Sequence, residues 1–554
     1  MVGVARSPGA GCKWLAGTPT RGDDPRSRAV ARRPIRRRET VVTVTAARSS
    51  ESVPGPEVRT AAGVLRGSRE VGLAVFRGVP YAEPPVGALR FAAPRPVRGW
   101  AGVRAAVSYG PPPPQGGLFA MDELARGAAG DDWLSVNVWS PDPATGAGLP
   151  VLVWIPGGAY AIGASSLPEF DGLRLAAGGV VVVTLNYRLG VEGFAQIDGA
   201  PANRGLLDQV AALQWVRENI RAFGGDPDRV TVFGQSAGGG SVACLLAMPR
   251  AAGLFRRAVA QSMPGTFFSP ELAADIAAAC AAELGVRPTA ADLSAVDPSR
   301  LPAVGYAVSA KIGRWKDRWG PITYRPIPFA PVVDGDVLPA TPWQALANGA
   351  GRDVDLLVGH TRDEHRLFSL IDGVLGQVTE EQAETALRTL APGPDGARRY
   401  REAFPAAGPE ELYELVNADW LFRMPTLHLA QAHAASGGRT HLYELTWSAP
   451  GMGGTLGACH GLDIPLVFGN LSSGQPALLI GETPSAEAEA LSAWIRAAWT
   501  GFAADGDPGW PAYDTEQRLV QLLDSRPAVT AYPEEASRLL WQQHTFPALP
   551  LIDR

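Results

Sequence analysis

Short, continuous runs of apolar residues recur along most of the chain, separated by longer amphipathic or polar segments. The clearest runs are 149–155 and 180–185, and shorter apolar runs lie within 256–262 and 354–358. Apolar runs of this length, bounded by glycine, proline and charged residues, are typical of strands that are buried on both faces. We therefore predict that these four segments are buried strands.

Residues 205–223 show a different period. Apolar side chains recur there every three or four residues, at Leu206, Val210, Leu213, Val216, Ile220 and Phe223. This spacing predicts an amphipathic helix that packs its apolar face on the sheet. The glycine- and aspartate-rich segment 223–229 is predicted to end the helix, and the next strand to begin at Val230.

The N-terminal segment, residues 1–55, lacks this periodicity and is rich in arginine, proline, glycine, serine and threonine. We predict that it forms a disordered extension and that residues 56–554 form a single globular domain. Arg32 and Arg33 resemble a twin-arginine export signal, but the following Pro34 and the short, polar segment 41–46 do not fit one.

Charge is distributed unevenly between this segment and the rest of the chain. The net charge is -5 overall, while the first fifty residues hold ten Arg and one Lys against three acidic residues, a net +8 that leaves -13 for the remainder. A strongly acidic remainder offers no broad basic face. We therefore expect no nucleic-acid partner.

The four cysteines, Cys12, Cys244, Cys280 and Cys459, are widely and irregularly spaced. They form no CxxC pair and no disulfide framework. No apolar run reaches the length of a membrane span. We expect a soluble, cytoplasmic protein without membrane attachment, metal or cofactor.

The stretch 231–239, Thr-Val-Phe-Gly-Gln-Ser-Ala-Gly-Gly, predicts an apolar strand, a sharp corner and the start of a helix. Gly234 and Gly238 flank Ser236 at two residues on either side, where a side chain would collide with neighbouring backbone. The corner would raise the Ser236 hydroxyl above the sheet, and the backbone N–H of Ala237 would face an oxygen that becomes negative. We predict that Ser236 is a nucleophile.

A second glycine-rich loop, residues 156–160 (Pro-Gly-Gly-Ala-Tyr), follows the strand 149–155. Glycines after a buried strand permit a tight turn whose N–H groups can point at a ligand. Pro156 has no N–H to donate, but those of Gly158 and Ala159 remain. The loop can therefore bind a ligand through the N–H groups of these two residues.

Three segments together carry a resemblance to a known family: 75–91 (Val-Phe-Arg-Gly-Val-Pro-Tyr and its proline-rich continuation), 130–139 (ending in Asn-Val-Trp) and 203–239. They resemble the type-B carboxylesterase and cholinesterase family of the α/β-hydrolase superfamily, and its bacterial carboxylesterases in particular. The resemblance implies an α/β fold with a large, mostly parallel, twisted central sheet, helices on both faces and helical insertions over the active site. Residues 56–554 would then be one catalytic domain.

Two further features follow from the resemblance. Trp133 stands where secreted relatives have a disulfide cysteine, and the partner segment 111–115 also lacks cysteine, which favours a reducing compartment. The 156–160 loop resembles the family's Gly-Gly-Ala-x oxyanion loop, which implies an oxyanion hole formed by the N–H groups of Gly158, Ala159 and Ala237. Relatives with this loop are associated with esters of tertiary alcohols.

The resemblance also implies the partners of Ser236. His460 aligns with the family's catalytic histidine, and Glu364, after the strand 354–358, aligns with its acid. Asp363 is the rival carboxylate, and His365 stands where glycine is usual and could compete for Glu364. Ser262 aligns with a second serine near the site, for which we predict a structural role.

We therefore expect a serine carboxylic-ester hydrolase, a carboxylesterase that forms an acyl-enzyme on Ser236. His460 would act as general base and acid, and Glu364 would orient it. The expected partner is a small-molecule ester, and the protein would be a monomer or a dimer. A non-catalytic cholinesterase-like binding protein is the alternative, and an amidase or lactonase would use the same three residues.

Overall fold

A mixed β-sheet forms the centre of the computed structural model, which describes residues 55–116, 130–325, 327–474 and 476–552. All of the predicted disordered extension except residue 55 lies outside these ranges. The strands within them are β1 (Glu57–Arg59), β2 (Val64–Arg66), β3 (Ser68–Glu70), β4 (Leu73–Pro80), β5 (Val103–Ala105), β6 (Ser135–Ser140), β7 (Leu149–Ile155), β8 (Val181–Leu185), β9 (Gly225–Gln235), β10 (Arg257–Gln261), β11 (Asp355–Thr361), β12 (Thr440–Leu445), β13 (Leu519–Leu523) and β14 (Ala528–Ala531).

Eleven of these described strands pair in the order β14-β13-β12-β11-β10-β9-β7-β8-β6-β4-β3, and β1, β2 and β5 form a small separate sheet. The strands from β8 across to β13 all run parallel. Within the large sheet, the antiparallel pairs of the described strands lie towards its two edges. The carboxyl ends of the parallel strands therefore meet along one edge, where an open α/β sheet usually carries its site.

Side chains of β7 show why its apolar run is continuous. Val151, Val153 and Ile155 point into the core that contains Leu206 and Val216. Leu152 and Trp154 point into the opposite core, with Phe468 and Trp499. Because successive strand residues face opposite sides of a sheet, a strand covered on both faces must be apolar at every position. The predicted α/β-hydrolase architecture, with a mostly parallel sheet between two helical layers, is confirmed.

Helices connect the strands and fill both layers. The described α-helices are Leu173–Ala176, Gly190–Phe194, Arg204–Asn219, Ala237–Ala247, Pro270–Leu284, Ala290–Ser294, Leu301–Ala310, Lys316–Trp319, Pro342–Ala347, Arg366–Ile371, Glu380–Leu390, Gly396–Ala403, Pro409–Ala418, Met424–Ala435, Asp463–Phe468, Pro476–Ile480, Ala486–Asp505 and Glu535–Trp541. A single π turn, Asp419–Arg423, joins Pro409–Ala418 to Met424–Ala435 within the described residues.

Two predicted strand boundaries are wrong by a few residues, and one predicted helix changes type before its end. β9 begins at Gly225 instead of Val230, because Gly225 already pairs with Leu149. β11 continues past residue 358 to Thr361, because the ladder with β12 uses backbone groups and does not require apolar side chains. The helix predicted over 205–223 becomes a 3₁₀ turn at Ile220 and ends at Gly224, which has a left-handed φ of 85°.

The described residues also bear on membrane attachment and disulfide bonding. No helix in these ranges is long and apolar enough to cross a membrane. Their cysteines, Cys244, Cys280 and Cys459, are buried and free. Trp133, at the position where a family disulfide was expected to be missing, is buried in the core.

Candidate active site

Ser236 occupies the corner between β9 and the helix Ala237–Ala247, as the sequence predicted. Its backbone has φ 59° and ψ -126°, a conformation that L-residues rarely adopt and that is typical of functional corners. A Cβ on Gly234 would lie 2.6 Å from the carbonyl carbon of Gly238, and one on Gly238 would lie 2.1 Å from the carbonyl oxygen of Ile155. The two glycines are therefore required by close backbone approach.

His460 and Glu364 meet at the same edge of the sheet. Glu364 lies three residues after the end of β11, and His460 lies in the turn before the helix Asp463–Phe468. His460 Nδ1 donates a 2.6 Å hydrogen bond to Glu364 Oε2. Both side chains are buried, Glu364 completely. The bond fixes the imidazole tautomer so that Nε2 carries the lone pair.

The Glu364 carboxylate is stabilised in its ionised form. Burial alone would raise its pKa, but the charge of His460 and hydrogen bonds from His460 and the Thr361 backbone lower the pKa below the ordinary glutamate value. The Thr361 N–H donates to Oε1 at 2.9 Å. Ser262 directly follows β10 and is buried, and its hydroxyl has no hydrogen-bond partner among the described residues, so its structural role stays a prediction.

Asp363 has different partners. Its Oδ2 accepts a 2.8 Å hydrogen bond from the backbone N–H of Ala458, and its own N–H donates to the carbonyl of Ala458 at 2.9 Å. Arg362 and Arg366 form ion pairs with its carboxylate. Asp363 therefore joins the end of β11 to the loop that carries His460 and does not contact the imidazole.

His365 does not compete for Glu364. Its Nδ1 lies 3.2 Å from the Ser369 hydroxyl, and its backbone N–H donates to Glu414 Oε1 at 2.8 Å. Burial, with the nearby charges of Arg325 and His460, lowers the pKa of His365 well below its usual value. The imidazole of His365 is consequently neutral at physiological pH.

The Ser236 hydroxyl makes no hydrogen bond to His460 among the interactions of the described residues. The contact to His460 from this corner comes from the preceding residue, Gln235, whose side-chain nitrogen lies 3.1 Å from His460 Nε2. Hydrogen bonds between nucleophile and base are often long before substrate binds and tighten in the Michaelis complex.

The predicted oxyanion donors lie beside this corner. Gly158 and Ala159 have φ of 117° and 54°, and Ala237 is the first residue of its helix. Their three N–H groups donate to no acceptor among the described residues. A Cβ on Gly157 would lie 2.5 Å from the Gln235 carbonyl oxygen and 3.2 Å from Ser236 Cβ, so the loop packs directly against the serine corner.

The sequence did not reveal which side chains surround His460. The ring of Phe422 stacks on the imidazole with centroids 4.2 Å apart, and Phe368 lies 5.2 Å away. Gln235 was visible in the nucleophile motif, but its contact with the histidine depends on the tertiary fold. Phe422 comes from the π turn, which hydrophobic periodicity does not indicate.

Comparisons with known proteins consistently identify one family. The model of the carboxylesterase family matches residues 54–541. The para-nitrobenzyl esterase of Bacillus subtilis is 39% identical over 505 residues, which cover 89% of this chain and 98% of that protein. Phenmedipham hydrolase of Pseudarthrobacter oxydans is 34% identical over 499 residues, covering 86% and 96%.

Among solved structures, a carboxylesterase of Geobacillus stearothermophilus has a TM-score of 0.77 at 37% identity. It covers 88% of this chain and all of its own chain. A structure of a para-nitrobenzyl esterase has a TM-score of 0.74 at 38% identity, covering 87% and 99%.

Proposed function

The chain belongs to the carboxylesterase family and is a serine carboxylic-ester hydrolase, and we propose that it works through Ser236, His460 and Glu364. The single observation that carries this assignment is the 2.6 Å hydrogen bond from His460 Nδ1 to Glu364 Oε2. It leaves the lone pair on Nε2, the atom that must take the proton of Ser236.

The first half-reaction forms an acyl-enzyme. Ser236 Oγ attacks the acyl carbon while His460 Nε2 takes the hydroxyl proton, and the ester carbonyl oxygen becomes negative. The N–H groups of Gly158, Ala159 and Ala237 stabilise that charge, and Ala237 adds the positive end of its helix dipole. His460 then gives its proton to the departing alcohol as the tetrahedral intermediate collapses.

The second half-reaction releases the acid. Water attacks the acyl carbon, His460 takes a proton from it, and Ser236 recovers the proton as the carboxylic acid departs. Glu364 stays ionised through both steps and stabilises the imidazolium each time it forms. Each step uses side chains, backbone N–H groups and water alone.

The expected substrate is a small ester with an aromatic alcohol group. The support is the name of one relative, the para-nitrobenzyl esterase, which is 39% identical. The proposed setting is a reducing compartment, since Trp133 replaces a family cysteine. We propose no nucleic-acid or membrane partner, and a monomer or a dimer.

Ser236→Ala tests the assignment. It removes the nucleophile without adding bulk, and we expect turnover of p-nitrobenzyl acetate to fall by roughly 10⁵- to 10⁶-fold with an unchanged melting temperature. A fluorophosphonate probe should label the wild type at Ser236 and leave the variant unlabelled. A variant that keeps a tenth of wild-type activity would contradict the assignment.

An amidase or lactonase would use the same residues and differ only in the leaving group. Matched p-nitroanilide and lactone substrates, run beside p-nitrophenyl esters of increasing acyl length, separate these activities. A non-catalytic binding protein would show neither burst kinetics nor labelling by the fluorophosphonate probe.

A further inference from the structure

The imidazole of His460 is contacted on its faces as well as at its edge. Phe422 stacks against it with centroids 4.2 Å apart and planes inclined by 29°. At that distance and angle the phenyl ring covers one face of the imidazole. Phe368 adds a more inclined contact, at 5.2 Å and 45°.

Gln235 lies over the other face. Its side-chain nitrogen is 3.1 Å from His460 Nε2 and 3.5 Å from His460 Nδ1. A donor in the ring plane, in line with the Nε2 lone pair, would be much farther from Nδ1 than from Nε2. Nearly equal distances therefore place the amide above the ring, and because Phe422 covers one face, the amide occupies the opposite one.

This geometry leaves the in-plane direction at Nε2 without a hydrogen-bond partner among the described residues. Nδ1 is held by Glu364 at 2.6 Å, and the two faces are held by Phe422 and Gln235. The imidazole can then neither tilt nor rotate without breaking one of these contacts. Its remaining free edge is the one that must receive the proton of Ser236.

Phe422 is itself fixed by a buried network at the π turn Asp419–Arg423. Arg423 pairs with Asp419 at 3.1 Å and with Glu534 at 2.6 Å. The Tyr400 hydroxyl donates to Asp419 Oδ2 at 2.7 Å. Asp419, Arg423 and Tyr400 are buried. π turns are frequent at functional sites, and here one presents an aromatic ring to the base.

Gln235 is fixed by the sheet. It is the last residue of β9, its register partner is Gln261 of β10, and the N–H of Ser236 donates to the Gln261 carbonyl at 2.9 Å. The residue that carries the nucleophile and the residue that covers the base are therefore neighbours on one rigid strand end.

We propose that Phe422 and Gln235 are positioning residues that clamp the two faces of the His460 imidazole and direct its Nε2 edge towards Ser236. The proposal rests on the assignment of His460 as the base. The two faces differ in charge preference: an aromatic face attracts a cation, whereas an amide N–H directed at the ring favours the neutral imidazole. The two contacts therefore favour opposite charge states of His460, which must alternate between neutral imidazole and imidazolium during the reaction.

Gln235→Glu tests the Gln235 face with nearly the same shape. A carboxylate against the ring stabilises the imidazolium, so the base is protonated up to a higher pH. We expect the acidic limb of the kcat/KM–pH profile to move up by about one pH unit or more. Gln517→Glu, which adds the same charge at an exposed position, should leave the limb in place. Coincident profiles for Gln235→Glu and the wild type would overturn the proposal.

Phe422→Leu tests the stacked face. Loss of the stacking contact should lower kcat about tenfold per titrated active site, with KM within about twofold, because orientation of the base affects chemistry and not ester binding. Phe422→Tyr keeps the ring and should recover kcat to within about twofold. An unchanged kcat in Phe422→Leu, or a loss confined to KM, would overturn the proposal.

Phe223→Leu is the matched control for lost packing. Phe223 is buried against Phe76 at a centroid distance of 5.0 Å and lies before the start of β9, at the end of that strand remote from Ser236. The Phe223→Leu substitution should lower the melting temperature without changing kcat per active site. His460→Ala and Ser236→Ala are measured in parallel: if either stays active, the assignment of the triad fails, whereas inactive triad variants beside normal Phe422 and Gln235 variants refute the clamp alone.

Discussion

Asp363 and Glu364 are adjacent in the chain, yet their carboxylates hold two different parts of the loop that carries His460. Asp363 accepts from the backbone N–H of Ala458 at 2.8 Å, and Glu364 accepts from the imidazole of His460 at 2.6 Å. One carboxylate therefore fixes the position of the loop, and the other fixes the orientation and charge of the base.

This division predicts unequal effects of removing each charge. Glu364→Gln should lower kcat/KM by about 10³- to 10⁴-fold, because the imidazolium loses its partner and the tautomer is no longer fixed. Asp363→Asn keeps an acceptor for Ala458 and should lower kcat/KM by less than about tenfold. Steady-state kinetics with p-nitrophenyl acetate measures both, and equal losses or the reverse order would contradict the assignment of Glu364.

A pH-dependent stability is expected from Glu414. Burial raises the pKa of this carboxyl from 4.5 to about 8, although the N–H of His365 and the charge of Arg366 oppose the rise. The folded protein therefore keeps a proton that the unfolded chain releases above pH 4.5. The stability from this group is fully present below the unfolded pKa and is lost as pH rises to about 8, at up to about 1.4 kcal/mol per pH unit.

Glu414→Gln should remove that dependence. The amide can still accept from the His365 N–H and does not titrate. The urea midpoint of the variant should therefore rise relative to that of the wild type as pH increases from 5 to 8. Denaturation curves at four pH values measure the difference, and Glu411→Gln, at an exposed position on the same helix, serves as the control. A constant difference across this range would contradict the prediction.

The small residues of the oxyanion loop indicate that the site accepts esters with a bulky alcohol group. Gly157 packs against Ser236, and Gly158 and Ala159 bring only a hydrogen and a methyl beside the expected position of the leaving group. The resemblance of this loop to the Gly-Gly-Ala-x type implies hydrolysis of tertiary-alcohol esters. tert-Butyl acetate should be hydrolysed above the Ser236→Ala blank. No such turnover beside rapid n-butyl acetate hydrolysis would refute the prediction.

Deletion of residues 1–50 should leave activity and melting temperature nearly unchanged. This segment has no apolar periodicity and so no face with which to pack on a core. Thermal denaturation and kcat/KM of the shortened protein measure the effect. A fall of several degrees in melting temperature would show that the segment packs on the domain.

Prediction from sequence succeeded where local pattern and local structure coincide. The bounds of β7 were predicted at both ends, since every residue of that strand faces a core and is therefore apolar. The Ser236 corner was predicted because both of its glycines belong to the local motif, although Gly238 is required by its close approach to Ile155 of β7. β11 was predicted too short, because its last three residues pair through backbone groups while their side chains are polar or absent.

The surroundings of the base could not be predicted in the same way. Phe422 reaches His460 only because a π turn alters the angular position of its side chain, and the ion network that stabilises this turn joins residues more than a hundred positions apart. Gln235 was visible, but the direction of its amide depends on where the His460 loop returns to the sheet. These contacts arise from tertiary packing and produce no hydrophobic periodicity in the sequence.

The π turn also has a consequence for how the chain can tolerate changes in length. Residues 409–435 form one continuous helical rod, and the wider turn at 419–423 resets the phase between its two halves. One half can then present Phe422 to His460 while Met424–Ala435 keeps its own face towards the core. A π turn holds about one residue more than an α-helical turn, so deletion of one residue within 419–423 can convert the turn to α-helix while both halves keep their faces. The change would fall on the turn itself, and the ring of Phe422 would move away from His460 while every residue of the triad remained encoded.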